Sequence, residues 1–95
     1  MARVIRVDGT EEEVFPVDVI SGFSLQEMCQ LIQCETIDVV SLGREARMVL
    51  DNNGLISDPP RPFNYKASLL YWSAGYNPQN PIVGDVLVGS EREIQ

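Results

Sequence analysis

Apolar residues cluster in two runs near the start of the chain, and this pattern favours a pair of strands. Residues 2–8 and 13–19 are rich in Val, Ile and Phe, and a connection that contains Asp8-Gly9 separates them. Asp-Gly between two strand-like runs indicates a β-hairpin. Pro16 removes a backbone donor, so the second strand is expected at the edge of a sheet. The acidic run Glu11-Glu12-Glu13 is expected at a solvated hairpin tip, and a docking site for a basic partner is the alternative.

The next segment predicts an amphipathic helix. Ser24 and Glu27 match a capping box, and Phe23 and Met28 occupy the hydrophobic-staple positions around it. The helix is expected to run to about Gln33. Its apolar face, which we interpret as core, is expected to consist of Leu25, Met28, Cys29 and Ile32.

The middle of the chain predicts two further strands and a proline-rich connection. Thr36–Leu42 and Ala46–Asp51 have strand-like composition. Asp51-Asn52-Asn53-Gly54 is typical of a turn, because Asn and Gly accept positive φ angles. Leu55-Ile56 is expected to add a short return strand. Residues 58–62 contain three prolines, and each of them disfavours helix at the preceding residue, so this segment is expected to be extended.

A second helix and a last strand are predicted in the remaining part. The helix is expected from about Tyr65 to Ala74, with Asn64 as its N-cap and Gly75 just past its end. Its apolar face is expected to carry Leu69, Trp72 and Tyr76. After a polar loop, Ile82–Val88 predicts the last strand, in which Gly84 permits a close approach or a bulge.

These elements follow one another in the order ββαββ(β)αβ. This order predicts an α+β fold, in which two helices pack on a mainly antiparallel sheet. One domain is expected over residues 1–89, because a chain of 95 residues and 10.6 kDa suits a single core. Residues 90–95 are expected to form a polar, frayed tail.

Composition argues against several classes of function. Seven basic and fourteen acidic residues give a net charge of -7, which disfavours binding to duplex DNA or to an anionic membrane. The chain has no histidine and only two cysteines, Cys29 and Cys34, so no metal site, cofactor or catalytic residue is predicted. We interpret the cysteines as reduced, partly buried thiols. Without a signal peptide or a long apolar segment, the protein is expected in the cytoplasm, and it is not expected to be an enzyme.

A candidate binding site lies in a stretch without acidic residues, from Pro59 to Gly84. This stretch carries two basic residues, the only Trp and all three Tyr. The start of the second helix adds unpaired N–H groups and a positive dipole end, which attract anions. The predicted ligand-binding residues are Arg61, Asn64, Tyr65, Lys66, Trp72, Tyr76, Asn77 and Asn80. The cations would hold phosphates, and the rings would stack on bases. A core helix with Trp72 and Leu69 buried beneath a polar loop is the other interpretation.

The second half of the chain also resembles a known family. Its pattern is a strand ending in Asp-x-x-Gly (Asp51 to Gly54), a Pro-x-Asn that opens a helix (Pro62 to Asn64) and a closing strand Gly-Asp-Val-x-Val (Gly84 to Val88). This pattern is similar to that of a family of small domains of unknown function in bacteriophages, plasmids and mobile elements. The chain departs from it in Pro59-Pro60 and in a long loop before the last strand. The resemblance implies an accessory protein that counters host defence or redirects a host enzyme.

We therefore expect a non-enzymatic phage accessory protein that acts by binding in the cytoplasm of the bacterial host. The first expected ligand is a small anionic nucleotide that serves as an immune signal, sequestered in a pocket that a homo-oligomer completes. The alternative is a protein–protein inhibitor that uses the acidic face or a sheet edge against a host protein. An acidic nucleic-acid mimic ranks below both, because the carboxylates are scattered along the chain.

Overall fold

One antiparallel sheet organises the protein, whose computed structural model describes residues 2–54 and 61–94. Within these residues the sheet has five strands in the order β2-β1-β5-β4-β3, and all four pairings are antiparallel. The elements are β1 (Ala2–Ile5), β2 (Glu11–Val14), α1 (Leu25–Ile32), β3 (Ile37–Ser41), β4 (Ala46–Asp51), α2 (Tyr65–Ser73) and β5 (Val86–Ser90). The predicted α+β class, with its mainly antiparallel sheet and two helices, is confirmed. The predicted return strand Leu55-Ile56 lies outside the described residues.

Each face of the sheet is covered by one helix, because strand side chains alternate between the two faces. The cluster on the first face, here called the α1 face, consists of Ala2, Val4, Phe23, Met28, Ile32, Val49, Leu87 and Ile94. The cluster on the second, the α2 face, consists of Ile5, Met48, Ala67, Ile82, Val86 and Val88. In the described part of the chain, neither helix is long and apolar enough to cross a membrane.

The start of α1 agrees with its prediction. The Ser24 hydroxyl accepts from the Glu27 N–H at 3.1 Å, and a Glu27 carboxylate oxygen accepts from the Ser24 N–H at 3.0 Å. This reciprocal pair is the predicted capping box. The helix ends where Gln33 takes a left-handed conformation, with φ of 56°. Leu25 was expected in the core but is 60% exposed, so that part of the predicted apolar face is wrong.

The first hairpin is shorter than predicted, although its second strand does lie at the sheet edge. The turn occupies residues 7–9, where Arg6 N–H donates to Thr10 O at 2.9 Å, so Glu11-Glu12-Glu13 forms β2 itself instead of the hairpin tip. β2 ends at Val14, and residues 15–19 do not continue it. A turn around Asp18 replaces the predicted strand there, because its side chain bonds to nearby backbone N–H groups.

The buried side of α2 differs from its prediction. Asn64 is the N-cap as predicted, but Leu69 is 42% exposed, and the helix buries Ala67 and Ser68 instead. The Ser68 hydroxyl accepts from the N–H of Ile82 at 2.9 Å and lies 3.3 Å from the carbonyl of the same residue. These bonds fix the rotation of the helix. Residues 69–72 are all apolar, so their spacing alone does not select a buried side.

The last strand begins later than predicted. β5 starts at Val86, whereas Val83 forms only an isolated bridge with Phe63. The close approach predicted at Gly84 is confirmed: its φ is +76°, and a Cβ there would lie 2.9 Å from Cδ of Arg61. The side chain of Arg61 therefore occupies the space that glycine leaves open.

The expected frayed tail is wrong. β5 extends to Ser90, and Ile94 is completely buried in the cluster of the α1 face. The backbone there is also held, because Phe23 N–H donates to Glu93 O at 2.7 Å and Arg47 Nη1 donates to Ile94 O at 3.0 Å. The buried side chain of Ile94 thus holds the segment after β5 against the sheet, although the other residues of this segment are polar.

Candidate functional site

Arg61, the first predicted ligand contact, is held by an acidic partner. Its Nε lies 2.5 Å from Oδ2 of Asp51, and its Nη2 donates to the backbone carbonyl of Gln33. The Asp51 side chain is only 6% exposed, so water screens this ion pair weakly. The guanidinium is thereby neutralised within the fold, and an anionic ligand would have to compete with Asp51 for it.

Asn64, another predicted ligand contact, is completely buried. Its Oδ1 accepts from Ala67 N–H at 3.1 Å, which is the helix cap. Its Nδ2 donates to the backbone carbonyls of Ile5 and Gly84, both at 2.9 Å. The side chain therefore joins α2 to β1 and to the segment before β5. All three hydrogen bonds of the side chain are thus made within the fold, and ligand binding by Asn64 stays a prediction.

Lys66 points to the first hairpin and has a carboxylate partner of its own. Its Nζ lies 3.3 Å from Glu11 Oε2, and the other oxygen of Glu11 lies 2.7 Å from Nε of Arg3. The hydrogen bond from Lys66 and the charge of Arg3 lower the pKa of Glu11. The two predicted phosphate-binding cations, Arg61 and Lys66, are thus held by different acidic residues on different elements.

The aromatic side chains divide into two groups. Tyr65 and Trp72 flank Phe63, with ring centroids 6.3 and 6.4 Å from that of Phe63. Tyr71 and Tyr76 instead stack in parallel at 4.2 Å, and the Tyr76 hydroxyl donates to a backbone carbonyl at the end of β3. Of the three rings predicted to bind, Tyr65 and Trp72 share a surface, whereas Tyr76 lies beside the sheet edge.

Asn77 and Asn80, the predicted amide contacts, form a turn beside α2. The Asn77 side chain accepts from Gln79 N–H at 2.9 Å, and Asn80 N–H donates to Asn77 O at 3.0 Å. The backbone carbonyl of Asn80 accepts from the Trp72 indole N–H at 2.7 Å. The structure thus brings Trp72 and Asn80 into contact, but through a bond that holds the loop against the helix.

A pocket of about 460 Å³ opens beside the Asp51–Arg61 pair. It is lined by Gln33, Cys34, Glu35, Asp51, Asn53 and Arg61. Burial, together with the neighbouring Cys29, raises the pKa of the Cys34 thiol to about 12. Such a thiol is protonated at neutral pH and is a poor nucleophile. Among residues 2–54 and 61–94, no group of three or more His, Cys, Asp or Glu is placed to hold a metal ion.

Among the described residues, the most exposed large apolar side chains lie outside the predicted site, between β2 and α1. Val17, Val19 and Ile20 are 81–90% exposed, and Phe15 is exposed beside them. We refer to residues 15–22 as the apolar loop. Sequence reasoning missed this surface because the Val and Ile residues suggested a strand. The turn-forming residues Asp18, Ser21 and Gly22 within the same segment were the signal against it.

Hydrogen bonds to two carboxylates hold the backbone of the apolar loop. Asp18 Oδ1 accepts from Ile20 N–H at 2.9 Å, and Glu27 Oε2 accepts from Val17 N–H at 3.0 Å. At the base of the loop, Gly22 has a φ of +79°, and a Cβ there would lie 2.5 Å from Glu93 O. Because the backbone is fixed in this way, the exposure of the apolar side chains belongs to an ordered conformation.

The acidic strand β2 leads directly into the apolar loop. Glu11, Glu12 and Glu13 are exposed on a strand whose neighbour in the sheet is β1. Glu11 is paired as described above, and Glu12 lies 3.2 Å from Nη2 of Arg6. Glu13 makes no ion pair with any residue in the described ranges. The three carboxylates therefore alternate between the two faces of the sheet, and the apolar loop begins directly after β2 ends.

Acidification is expected to release the apolar loop. Hydrogen bonds from backbone N–H groups lower the pKa of Asp18 and that of Glu27 below their ordinary values of 3.8 and 4.5. The stabilisation is therefore complete above these values and is lost as the pH falls through the lowered ones. In an NMR titration, the amide proton shifts of Ile20 and Val17 should have midpoints below 3.8 and 4.5 respectively. Midpoints at or above these values would contradict the hydrogen bonds.

Comparison with known proteins identifies the family. The family described as Domain of unknown function (DUF3846) matches residues 1–93, which is nearly the whole sequence. The chain therefore belongs to this family, and the expectation of a family of unknown function is confirmed at that level. No curated protein and no solved structure matches the chain.

Proposed function

We propose that this member of the DUF3846 family is a non-enzymatic binding protein that recognises another protein through the apolar loop and β2. The exposure of Val17, Val19 and Ile20 on a backbone held by Asp18 and Glu27 carries the proposal. The proposed biological context rests on the resemblance of the sequence to a family found in bacteriophages and mobile elements. The protein is proposed to serve a phage or another mobile element and to act on a protein in the cytoplasm of the bacterial host.

The energetics of the apolar loop support an interaction surface. Burying a Val or Ile side chain is favourable by about 1.5–3 kcal/mol, and the fold leaves this gain unused at three neighbouring positions. Apolar patches on the surface of a soluble protein mark sites of interaction. These side chains are β-branched, so they have little rotamer freedom to lose when a partner covers them.

The charge of β2 favours a basic partner. The chain has a net charge of -7, and Glu13 carries an exposed carboxylate that no ion pair neutralises in the described part of the protein. Complementary charge raises the rate of association and excludes wrong partners, whereas apolar contacts supply most of the affinity. In this proposal the apolar loop supplies most of the affinity, and the carboxylates of β2 select a basic partner.

Sequestration of a nucleotide is the second proposal. It is supported by the exposed Tyr65 and the half-buried Trp72, whose rings both lie against Phe63 on a helix without acidic residues. It ranks second because Arg61 and Lys66 would have to leave their carboxylate partners to reach one ligand. A homo-oligomer remains part of this proposal, since one small domain covers little of a dinucleotide. Mimicry of a nucleic acid ranks third, because Arg or Lys already pairs with several of the carboxylates.

Capture of host proteins by matched variants tests the first proposal. The wild-type protein, the double variant Val19→Ser/Ile20→Ser and the control Val39→Ser are immobilised, exposed to bacterial lysate and compared by quantitative mass spectrometry. Val39 is also exposed and β-branched, but it lies on β3 at the other edge of the sheet. We expect the double variant to retain about tenfold less of the partner, because two apolar anchors contribute at least 1–2 kcal/mol. The control should retain as much as the wild type.

Calorimetry with cyclic and linear nucleotides tests the second proposal against the first. Micromolar binding to the wild type, weakened about tenfold by Arg61→Ala or Lys66→Ala through loss of charge-assisted hydrogen bonds, would favour the second proposal instead. Equal capture of host proteins by the wild type and the double variant would also overturn the first proposal. Circular dichroism of each variant shows whether it is folded before either comparison is made.

A further inference from the structure

The outer side of β2 has backbone groups that the sheet does not use. Arg6 N–H donates to Thr10 O at 2.9 Å, and the register continues with Ile5 opposite Glu11. In an antiparallel ladder, the backbone groups of successive residues point alternately toward the neighbouring strand and away from it. The N–H and C=O groups of Glu11 and Glu13 therefore face outward, whereas those of the residue between them face β1.

The other edge of the sheet is less accessible. Leu42 N–H donates to Ala46 O at 2.9 Å, and by the same alternation the backbone groups of Ser41 face outward from β3. The Ser41 carbonyl accepts from the Tyr76 hydroxyl at 2.8 Å, and Tyr71 stacks on Tyr76. Covering an edge with a side chain blocks the addition of a further strand. Among residues 2–54 and 61–94, no side chain covers the outward backbone groups of Glu11 and Glu13 in this way, so β2 is the more open of the two edges.

The side chains of β2 select what can pair with it. A second copy of β2 would place Glu next to Glu, and like charges on neighbouring strands are unfavourable. Glu11 and Glu12 already have cationic partners, whereas Glu13 forms no ion pair with the residues that the structure describes. A basic side chain on an added strand would find its counter-ion there. Acidic edges protect against self-association, and the same charges favour a basic strand.

We propose that β2 accepts an extended segment of the partner protein as a sixth strand of the sheet. The segment carries Lys or Arg at alternate positions, so that one of them lies beside Glu13, and apolar residues between them. This proposal rests on the proposed protein-binding function and adds the chemistry of the partner. Main-chain hydrogen bonds supply the affinity of such strand addition, and alternate side chains supply its specificity.

Synthetic peptides test the proposal without knowledge of the partner. The probe is a peptide of alternating Lys and Val with blocked ends, and the matched control is the same peptide with an N-methyl group on every amide. Both peptides have the same charge, but the control has no amide N–H to donate to the ladder of hydrogen bonds from either of its edges. We expect the probe to bind at least about tenfold more tightly than the control, since several hydrogen bonds of about 1 kcal/mol each are at stake. Amide exchange at Glu11 and Glu13 should become slower on binding.

A proline substitution tests the same hydrogen bonds from the side of the protein. Glu13→Pro removes an N–H that faces outward, so the ladder with β1 keeps its bonds and the fold should persist. We expect this variant to bind the probe at least about tenfold more weakly, whereas Glu13→Gln should weaken binding only a few-fold, as loss of an exposed ion pair does. Should Glu13→Pro fail to fold, the N-methylated peptide decides alone.

Equal binding of the probe and its N-methylated control would overturn the proposal, because charge alone would then explain the affinity. The absence of any binding by the probe would also overturn it. In both cases the proposed function stands on its own evidence if capture of a host protein depends on Val19 and Ile20. Conversely, a bound probe with slower exchange at Glu13 would support the edge proposal even if the double loop variant captured the same proteins as the wild type.

Discussion

Replacing Asn64 with alanine is expected to lower the free energy of unfolding by about 4 kcal/mol, because the change combines loss of a helix cap with loss of two buried hydrogen bonds to backbone carbonyls. The side chain is completely buried and makes three hydrogen bonds, to Ala67 N–H and to the carbonyls of Ile5 and Gly84. Single domains have total stabilities of about 5–15 kcal/mol, so this variant would lose a large part of its stability.

Chemical denaturation of three variants measures this effect. Asn64→Ser keeps an oxygen for the cap and should recover about 1 kcal/mol relative to Asn64→Ala. Asn80→Ala is the control, because Asn80 is exposed in a turn, and its change should stay within about 0.5 kcal/mol. A loss of less than about 1 kcal/mol for Asn64→Ala would contradict the assignment of Asn64 as a buried link between α2 and the sheet.

Truncation of Ile94 to alanine is expected to cost about 3 kcal/mol, within the usual range for a buried Ile. Ile94 is completely buried among the residues of the α1 face, which include Phe23 and Met28. Thermal and chemical denaturation check this value, with Glu91→Ala as an exposed control in the same segment. An unchanged stability would mean that the segment after β5 is frayed, as the sequence alone suggested. Because Phe23 N–H bonds to Glu93 O, the variant should also loosen the base of the apolar loop.

The features that could be predicted from the sequence depend on short spacings. The capping box uses Ser24 and Glu27, three residues apart, and the cap of α2 uses Asn64 and Ala67. Such signals are local, so the order of elements and the start of each helix followed from them. The α+β class then follows, because two helices among five strands must cover the faces of a sheet.

The sequence does not reveal the bonding partners of the predicted ligand contacts, because these partners lie in distant parts of the chain. The Nδ2 of Asn64 bonds to a carbonyl 59 residues away, and Lys66 pairs with a carboxylate 55 residues away. The pattern around α2 shows two cations and an amide close together in sequence, but it does not show which of their groups remain free. Local spacing therefore predicted the cap made by Asn64, but not the hydrogen bonds of its Nδ2 to distant carbonyls.

Where the sequence lacks a helical or strand-like repeat of apolar residues, it did not show which apolar side chains are buried and which are exposed. Ile94 stands alone among polar neighbours and gives no helical or strand pattern, although it is buried. Val17, Val19 and Ile20 have the composition of a strand, although they are exposed. In each case a contact made by the backbone decides the outcome: Glu93 O with Phe23, and Asp18 with Ile20.

The central position of β5 determines when the protein can fold. β5 lies between β1 and β4, yet it follows every other strand along the chain. The hairpins β1–β2 and β3–β4 can form early from neighbouring segments, but Val88 of β5 is what places Arg3 and Met48 in one sheet. The chain must lose conformational entropy to bring such distant segments together before their contacts can stabilise the fold. Folding is slower for this reason. During translation, both hairpins would expose apolar faces until β5 leaves the ribosome, and this is the interval in which the nascent chain is most open to aggregation or to chaperones.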